Sequence, residues 1–139
     1  MRIFLDANVL FSAAKSDGAV RRLLALLVEA GHECWADGYV VEEARRNLIA
    51  KAPAGVPILD TLLARIHLAT AHPHPAAPAE TLAVPEKDRP VLAAAIRSEC
   101  AALVTGDRTH FGAFYGKTVG GVTIYSPSLL AQALLGRAG

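Results

Sequence analysis

The chain has 139 residues, of which 53% are hydrophobic, 19% charged and only 6% aromatic. This length suits one domain, and the composition excludes a disordered chain and requires a mainly aliphatic core. A formal net charge of +1 marks neither a nucleic-acid binder nor an acid-seeking protein by its total alone, so the placement of charge carries the information.

Within "RIFLDANVLFSAA" (2–14), residues 2–5 predict a short buried strand. A basic residue before an apolar run resembles a secretory leader, but Asp6 and Asn8 interrupt the run. No other segment reaches membrane-spanning length, so a soluble cytoplasmic protein is expected. Asp17 and Gly18 open a helix in which Val20, Leu23, Leu24, Leu27 and Val28 share one face, and Gly31 ends it. Residues 33–36 predict a second strand and 39–51 a second helix, with Asp37 as its N-cap. A turn spans Pro53 to Pro57, and 58–66 resumes helical spacing.

Residues 67–85 hold four prolines. A short third strand over His67–Ala71 followed by extended chain is expected, because long structureless segments are uncommon inside small domains. Residues 86–100 predict a helix opened by a proline in its first turn. Residues 102–105 form an apolar strand ending in "GD", 122–126 a fifth strand and 126–135 a last helix. Cys34 and Cys100 lack metal-type spacing and read as reduced, part-buried thiols of a cytosolic protein.

Strands alternating with helices predict an α/β fold: a three-layer α/β/α sandwich with a mainly parallel sheet of about five strands, as one domain over 1–139. In such sheets ligands bind at the carboxyl ends of the strands. Asp6 ends strand one and Asp107 ends strand four, so the two lie side by side if those strands are neighbours. Glu43 and Asp88, both near helix starts, can join them. Four adjacent carboxylates repel and are pushed toward protonation, and a hard divalent cation removes that penalty. An acidic cluster without Cys or paired His is therefore a candidate Mg²⁺ or Mn²⁺ site, suited to activating water against a phosphodiester.

Taken singly, each acid has a plainer reading. Asp88 suits a helix N-cap, and Asp107 after Gly106 suits a turn. Glu42 and Glu43 before Arg45 and Arg46 suit an ion-paired solvated face, the reading assigned to Glu42. Two phosphotransfer chemistries also place acids at strand ends. A haloacid-dehalogenase type needs a second Asp two residues after the first, where this chain has Asn8. A receiver domain needs a paired acid before its second helix and a lysine directly after a late strand, and neither is present.

The joint order of "FLDANVL", "VVEEARRNL", "KDRPVLAAAI" and "LVTGDRTHF" resembles the PIN-domain nuclease family over nearly the whole chain. The resemblance implies metal binding by Asp6, Glu43, Asp88 and Asp107. It also implies support of Asp6 by Asn8, a Thr105 lining the site, and Ser12 behind them. Glu43 directly precedes "ARRNL", as the family acid does. The implied activity is Mg²⁺- or Mn²⁺-dependent hydrolysis of single-stranded or structured RNA, leaving 5′-phosphate and 3′-hydroxyl ends. Many relatives carry a further acid where Thr109 stands here, followed by His110, which implies a weaker second ion. Relatives also commonly have Ser or Thr with Pro where this chain reads "ADGYVV".

The length fits ribonuclease toxins of the VapC-like branch, which pair as homodimers and are held inactive by an antitoxin. The alternatives are a stand-alone PIN nuclease and a non-catalytic PIN-like module that binds RNA or protein. Setting the four acids aside leaves nine acids against 14 Lys and Arg, a remainder of about +5 that suits an RNA backbone. Arg45, Arg46, Arg89 and Arg108 neighbour the motif acids and are the candidate RNA contacts. His72 and His74 read as exposed loop residues, Trp35 as core or dimer contact, and Lys117 as part of a glycine-rich surface loop.

Overall fold

The runs Ile3–Leu5 and Ala102–Val104 are apolar at every position because both faces of their sheet are covered, and all are fully buried. The computed structural model describes residues 1–70 and 79–136. Its strands are β1 (Arg2–Leu5), β2 (Glu33–Asp37), β3 (His67–Ala69), β4 (Ala102–Val104), β5 (Thr118–Val119) and β6 (Val122–Tyr125). They form one sheet in the order β3-β2-β1-β4-β6-β5. Every neighbouring pair is parallel except the β5–β6 hairpin.

The helices are α1 (Ala7–Lys15), α2 (Ala19–Glu29), α3 (Gly38–Lys51), α4 (Val56–Leu63), α5 (Arg89–Arg97), α6 (Arg108–Phe111) and α7 (Pro127–Leu135). Helix α1 packs against α2, α3 and α4, α7 against α2 and β6, and α5 against β4 and β6. Helices therefore flank a mostly parallel sheet, as the alternation of strands and helices predicts.

Several elements differ from the sequence expectations. The sheet has six strands, because β5 pairs with β6 across Gly120 and Gly121. Both glycines have positive φ (59° and 83°), as tight two-residue hairpin loops require. Lys117 thus belongs to the hairpin, its carbonyl accepting from the Ile124 N–H at 2.9 Å. Helix α1 has no counterpart among the predicted elements. Ala7, Val9, Leu10, Ala13 and Ala14 are buried and only Asn8, Ser12 and Lys15 give the helix a narrow polar stripe, so its nine residues read as a continuation of the apolar run.

The third strand ends at Ala69, and 79–83 forms a 3₁₀ turn where extended chain is expected. His72 and His74 lie outside the described residues. The helix expected over 86–100 divides into a 3₁₀ turn, Glu86–Asp88, and α5, which starts with Pro90 in its first turn.

Helices α2 and α5 end alike, each with a residue at positive φ closing a Schellman motif. In α2 the residue is Gly31, with His32 N–H bonded to Leu27 O at 3.0 Å. In α5 it is Glu99 (φ 56°), with Cys100 N–H bonded to Ala95 O at 3.0 Å. A side chain in this conformation costs about 1–2 kcal/mol, partly offset by glycine's freedom in the unfolded chain. Glu99→Gly is therefore expected to stabilise the protein by about 0.5–1 kcal/mol, read as a higher urea midpoint with unchanged slope.

Candidate active site

Strand order places the site. From β1 the sheet runs outward through β2 to β3, then resumes with β4 on the other side of β1. That reversal opens a crevice beyond the carboxyl ends of β1 and β4. Leu5 pairs with Val104, and the Asp6 N–H donates to Val104 O at 3.1 Å, so Asp6 lies beside Thr105.

A compact hydrogen-bond system ties the two strand ends together. Asp6 Oδ1 accepts from the Ala7 N–H at 2.7 Å, which caps α1. Asp6 Oδ2 accepts from the Thr105 hydroxyl at 2.8 Å. Thr105 is fully buried, and its Oγ1 also accepts from the Asp107 N–H at 3.1 Å and from Asn8 Nδ2 at 3.3 Å. One donor and two acceptor positions are all the bonds a hydroxyl can make, so Thr105 is fully used. Asn8 Oδ1 accepts from the Gly106 N–H at 2.8 Å, while its Nδ2 stands 3.5 Å from Asp6 Oδ2. Asn8 therefore mainly clips the β4 loop, and Thr105 makes the shorter bond to Asp6. Tyr115 adds a hydroxyl bond to Thr105 O at 2.9 Å.

Burial pushes the Asp6 carboxyl above its usual range. The bonds from Thr105 and Ala7 pull it back, and the nearby Glu43 and Asp107 charges push it up further. Asp6, Asn8, Tyr39, Glu43, Lys87, Asp88, Val91 and Asp107 line a cavity of about 330 Å³. Four acids, from the junction of β1 with α1, from α3, from the turn before α5 and from the loop after β4, thus face one space.

Each sequence candidate has a definite place. Asp88 stands at the N-cap position of α5 and is buried, but its side chain makes no capping hydrogen bond. Asp37 does cap, accepting from the Val40 N–H at 3.1 Å. Glu42 is exposed. Ser12 lies one turn beyond Asn8 on α1 and is not among the residues lining the cavity. Arg45 pairs with Asp60 of α4 at 2.9 Å, and Arg89 Nε donates to Val84 O at 3.2 Å. Arg46 and Arg108 are exposed.

Tyr39 and Lys87 are cavity residues absent from the sequence candidates. Lys87 directly precedes the motif acid Asp88, and Tyr39 stands one helical turn before Glu43, so adjacency to the motif was their available signal. Trp35 stacks on His67 with ring centroids 5.1 Å apart and carries the Arg2 guanidinium 4.7 Å from its ring centre. Both cysteines are free and buried, with thiols pushed up by burial to about 11 for Cys34 and about 12 for Cys100.

The donor set consists of carboxylate oxygens, the ligands hard cations prefer. Among the described residues no three His, Cys, Asp or Glu side chains form a ready-made metal cage. The acids instead share the walls of one cavity. Mg²⁺ keeps several waters and is held through one or two carboxylates, a mode of binding that needs no such cage.

A family model described as the PIN domain matches residues 2–109. The chain belongs to the PIN-domain family. PIN domains are generally nucleases. The fold is also similar to a chain in the crystal structure of VapBC2 from Rickettsia felis bound to a DNA fragment from their promoter. The similarity has a TM-score of 0.62 at 15% identity and covers 91% of this chain and 98% of the other. No curated protein sequence matches the chain. The family match ends just past Asp107, and β5, β6 and α7 continue the PIN domain's sheet and its covering beyond it. No helix among the described residues is long and apolar enough to cross a membrane.

Proposed function

We propose that this PIN domain is a metal-dependent endoribonuclease whose acids Asp6, Glu43, Asp88 and Asp107 hold Mg²⁺ or Mn²⁺. The convergence of four carboxylates on one cavity at the switch point of the sheet carries this reading. A divalent cation there would supply Lewis-acid activation of water and charge stabilisation for the leaving oxygen of a phosphodiester. The chain's own residues do the rest. Thr105 holds the Asp6 carboxylate, Asn8 and Thr105 set the path of the Gly106–Asp107 backbone, and the buried strand ends keep both rigid.

The likeness to the VapBC2 structure favours the toxin of a toxin–antitoxin pair within this class. The resemblance to VapC-like toxins adds that it acts in the cytoplasm as a homodimer held inactive by an antitoxin. A small open reading frame just upstream of the gene would support that branch, and its absence the stand-alone nuclease.

The purified protein is expected to cleave single-stranded RNA with Mg²⁺ or Mn²⁺, to stop when the ion is chelated, and to leave 5′-phosphate and 3′-hydroxyl ends. End-labelled products resolved against alkaline and enzymatic ladders check all three. Cleavage that persists in chelator removes the metal from the proposal. Absence of both cleavage and metal binding favours a non-catalytic RNA- or protein-binding module.

A further inference from the structure

The aromatic residue at the mouth of the acidic cavity has no part in the fold that accounts for it. Tyr39 is 52% exposed, yet it lines the same cavity as the four acids. Its hydroxyl enters no hydrogen bond among the described residues. Tyr115, the other tyrosine near Asp6, is by contrast bound to the Thr105 backbone.

Position fixes the backbone that carries Tyr39. It sits in the first turn of α3, which Asp37 caps through Val40 N–H, and its neighbour Val40 is fully buried. Tyr39, Glu43 and Arg46 are spaced four and three residues apart and share one stripe of α3. Lys87 faces the same cavity from the turn before α5. An exposed flat ring, a carboxylate and the Lys87 cation thus line one opening, with the exposed Arg46 close to Tyr39 on the same stripe of α3. Single-stranded nucleic acid is bound by this combination, with bases stacking on aromatic faces and cations tracking the phosphates. Trp35, the larger aromatic, already stacks on His67.

We propose that Tyr39 is the platform on which the nucleobase beside the scissile phosphate stacks, with Lys87 and Arg46 contacting the flanking phosphates. This rests on the ribonuclease reading and adds a positioning residue to it. Stacking is tolerant of base identity, so Tyr39 sets the register of the strand and leaves sequence choice open.

The test uses a short single-stranded oligoribonucleotide, and the same strand lacking the base next to the cleaved bond. Binding is read by fluorescence anisotropy on the cleavage-impaired Asp6→Asn background, and cleavage on the otherwise unaltered chain. Tyr39→Ala is expected to weaken binding and raise KM by roughly 10-fold, the size of one base–aromatic stack. Tyr39→Phe, which keeps the ring, is expected to behave like the parent. Removing the base should cost the parent as much as Tyr39→Ala does, and cost Tyr39→Ala nothing more, because both remove one contact. Tyr39→Ala that binds and cleaves like the parent overturns the stack and leaves the ribonuclease reading standing. So does Tyr39→Phe that fails as badly as Tyr39→Ala, or losses that simply add. A parent chain that neither binds nor cleaves RNA overturns both.

Discussion

Replacing Asp6 with asparagine is expected to lower metal-dependent RNA cleavage by about 10³-fold or more, a loss equal to the several kcal/mol that a held cation contributes to charge development. The fold should survive the change. The amide removes a carboxylate charge that burial, Glu43 and Asp107 all disfavour, but it also turns one of two accepting oxygens into a donor. Either the Ala7 N–H or the Thr105 hydroxyl then loses its acceptor. These effects oppose, so denaturant unfolding should place the variant within about 1 kcal/mol of the parent. Added Mg²⁺ or Mn²⁺ should raise the parent's Tm and leave the variant's unchanged, because only the parent binds the ion. A variant that cleaves as fast as the parent would show that this site is not the nuclease centre.

The same substitution carries a pH signature. The native Asp6 carboxyl sits above the 3.8 of an ordinary aspartate. Between that value and its native pKa, the folded protein keeps a proton that the unfolded chain releases. Its contribution to stability is therefore fully present below 3.8, falls as pH rises through the native pKa, and is a standing penalty at neutral pH. Urea midpoints measured through the mildly acidic range should show this falling component in the parent and not in Asp6→Asn.

Thr105→Val is expected to destabilise the protein by about 2 kcal/mol, or ~6 °C in Tm, and to slow cleavage as well. Valine matches the shape of threonine, so packing is kept and only the hydroxyl is lost. Three groups lose a partner: Asp6 Oδ2, the Asp107 N–H and, in part, Asn8 Nδ2. With the hydroxyl gone, the Asp6 carboxyl should rise further, since the Thr105 bond is the largest influence lowering it. Thr105→Ser, which keeps the hydroxyl, should recover most of the stability and the activity. Thermal unfolding of the three proteins with parallel cleavage assays decides it. Equal stability of Thr105→Val and the parent would mean that the hydroxyl does not bind the two strand ends together.

Much of this protein can be read along one dimension. The apolar runs 2–5 and 102–104 declare buried strands, because a segment covered on both faces has no polar position to spare. Gly31 and Asp37 mark helix ends through local backbone chemistry, and the order of Asp6, Glu43, Asp88 and Asp107 carries the family likeness. Where periodicity is absent the sequence is silent. Helix α1 is short, with a polar stripe of only Asn8, Ser12 and Lys15, and β5 is too short for alternation to register.

Only the tertiary structure brings the acids together, since their convergence depends on β4 returning beside β1, a pairing between residues about a hundred positions apart. It also assigns Thr105 to the centre of the network, turns Arg45 toward Asp60, and places Tyr39 and Lys87 at the cavity. The physical reason is common to all of these. Burial and capping are settled by neighbours in the chain, whereas which side chains share one space is settled by strand order and register, which no local pattern encodes.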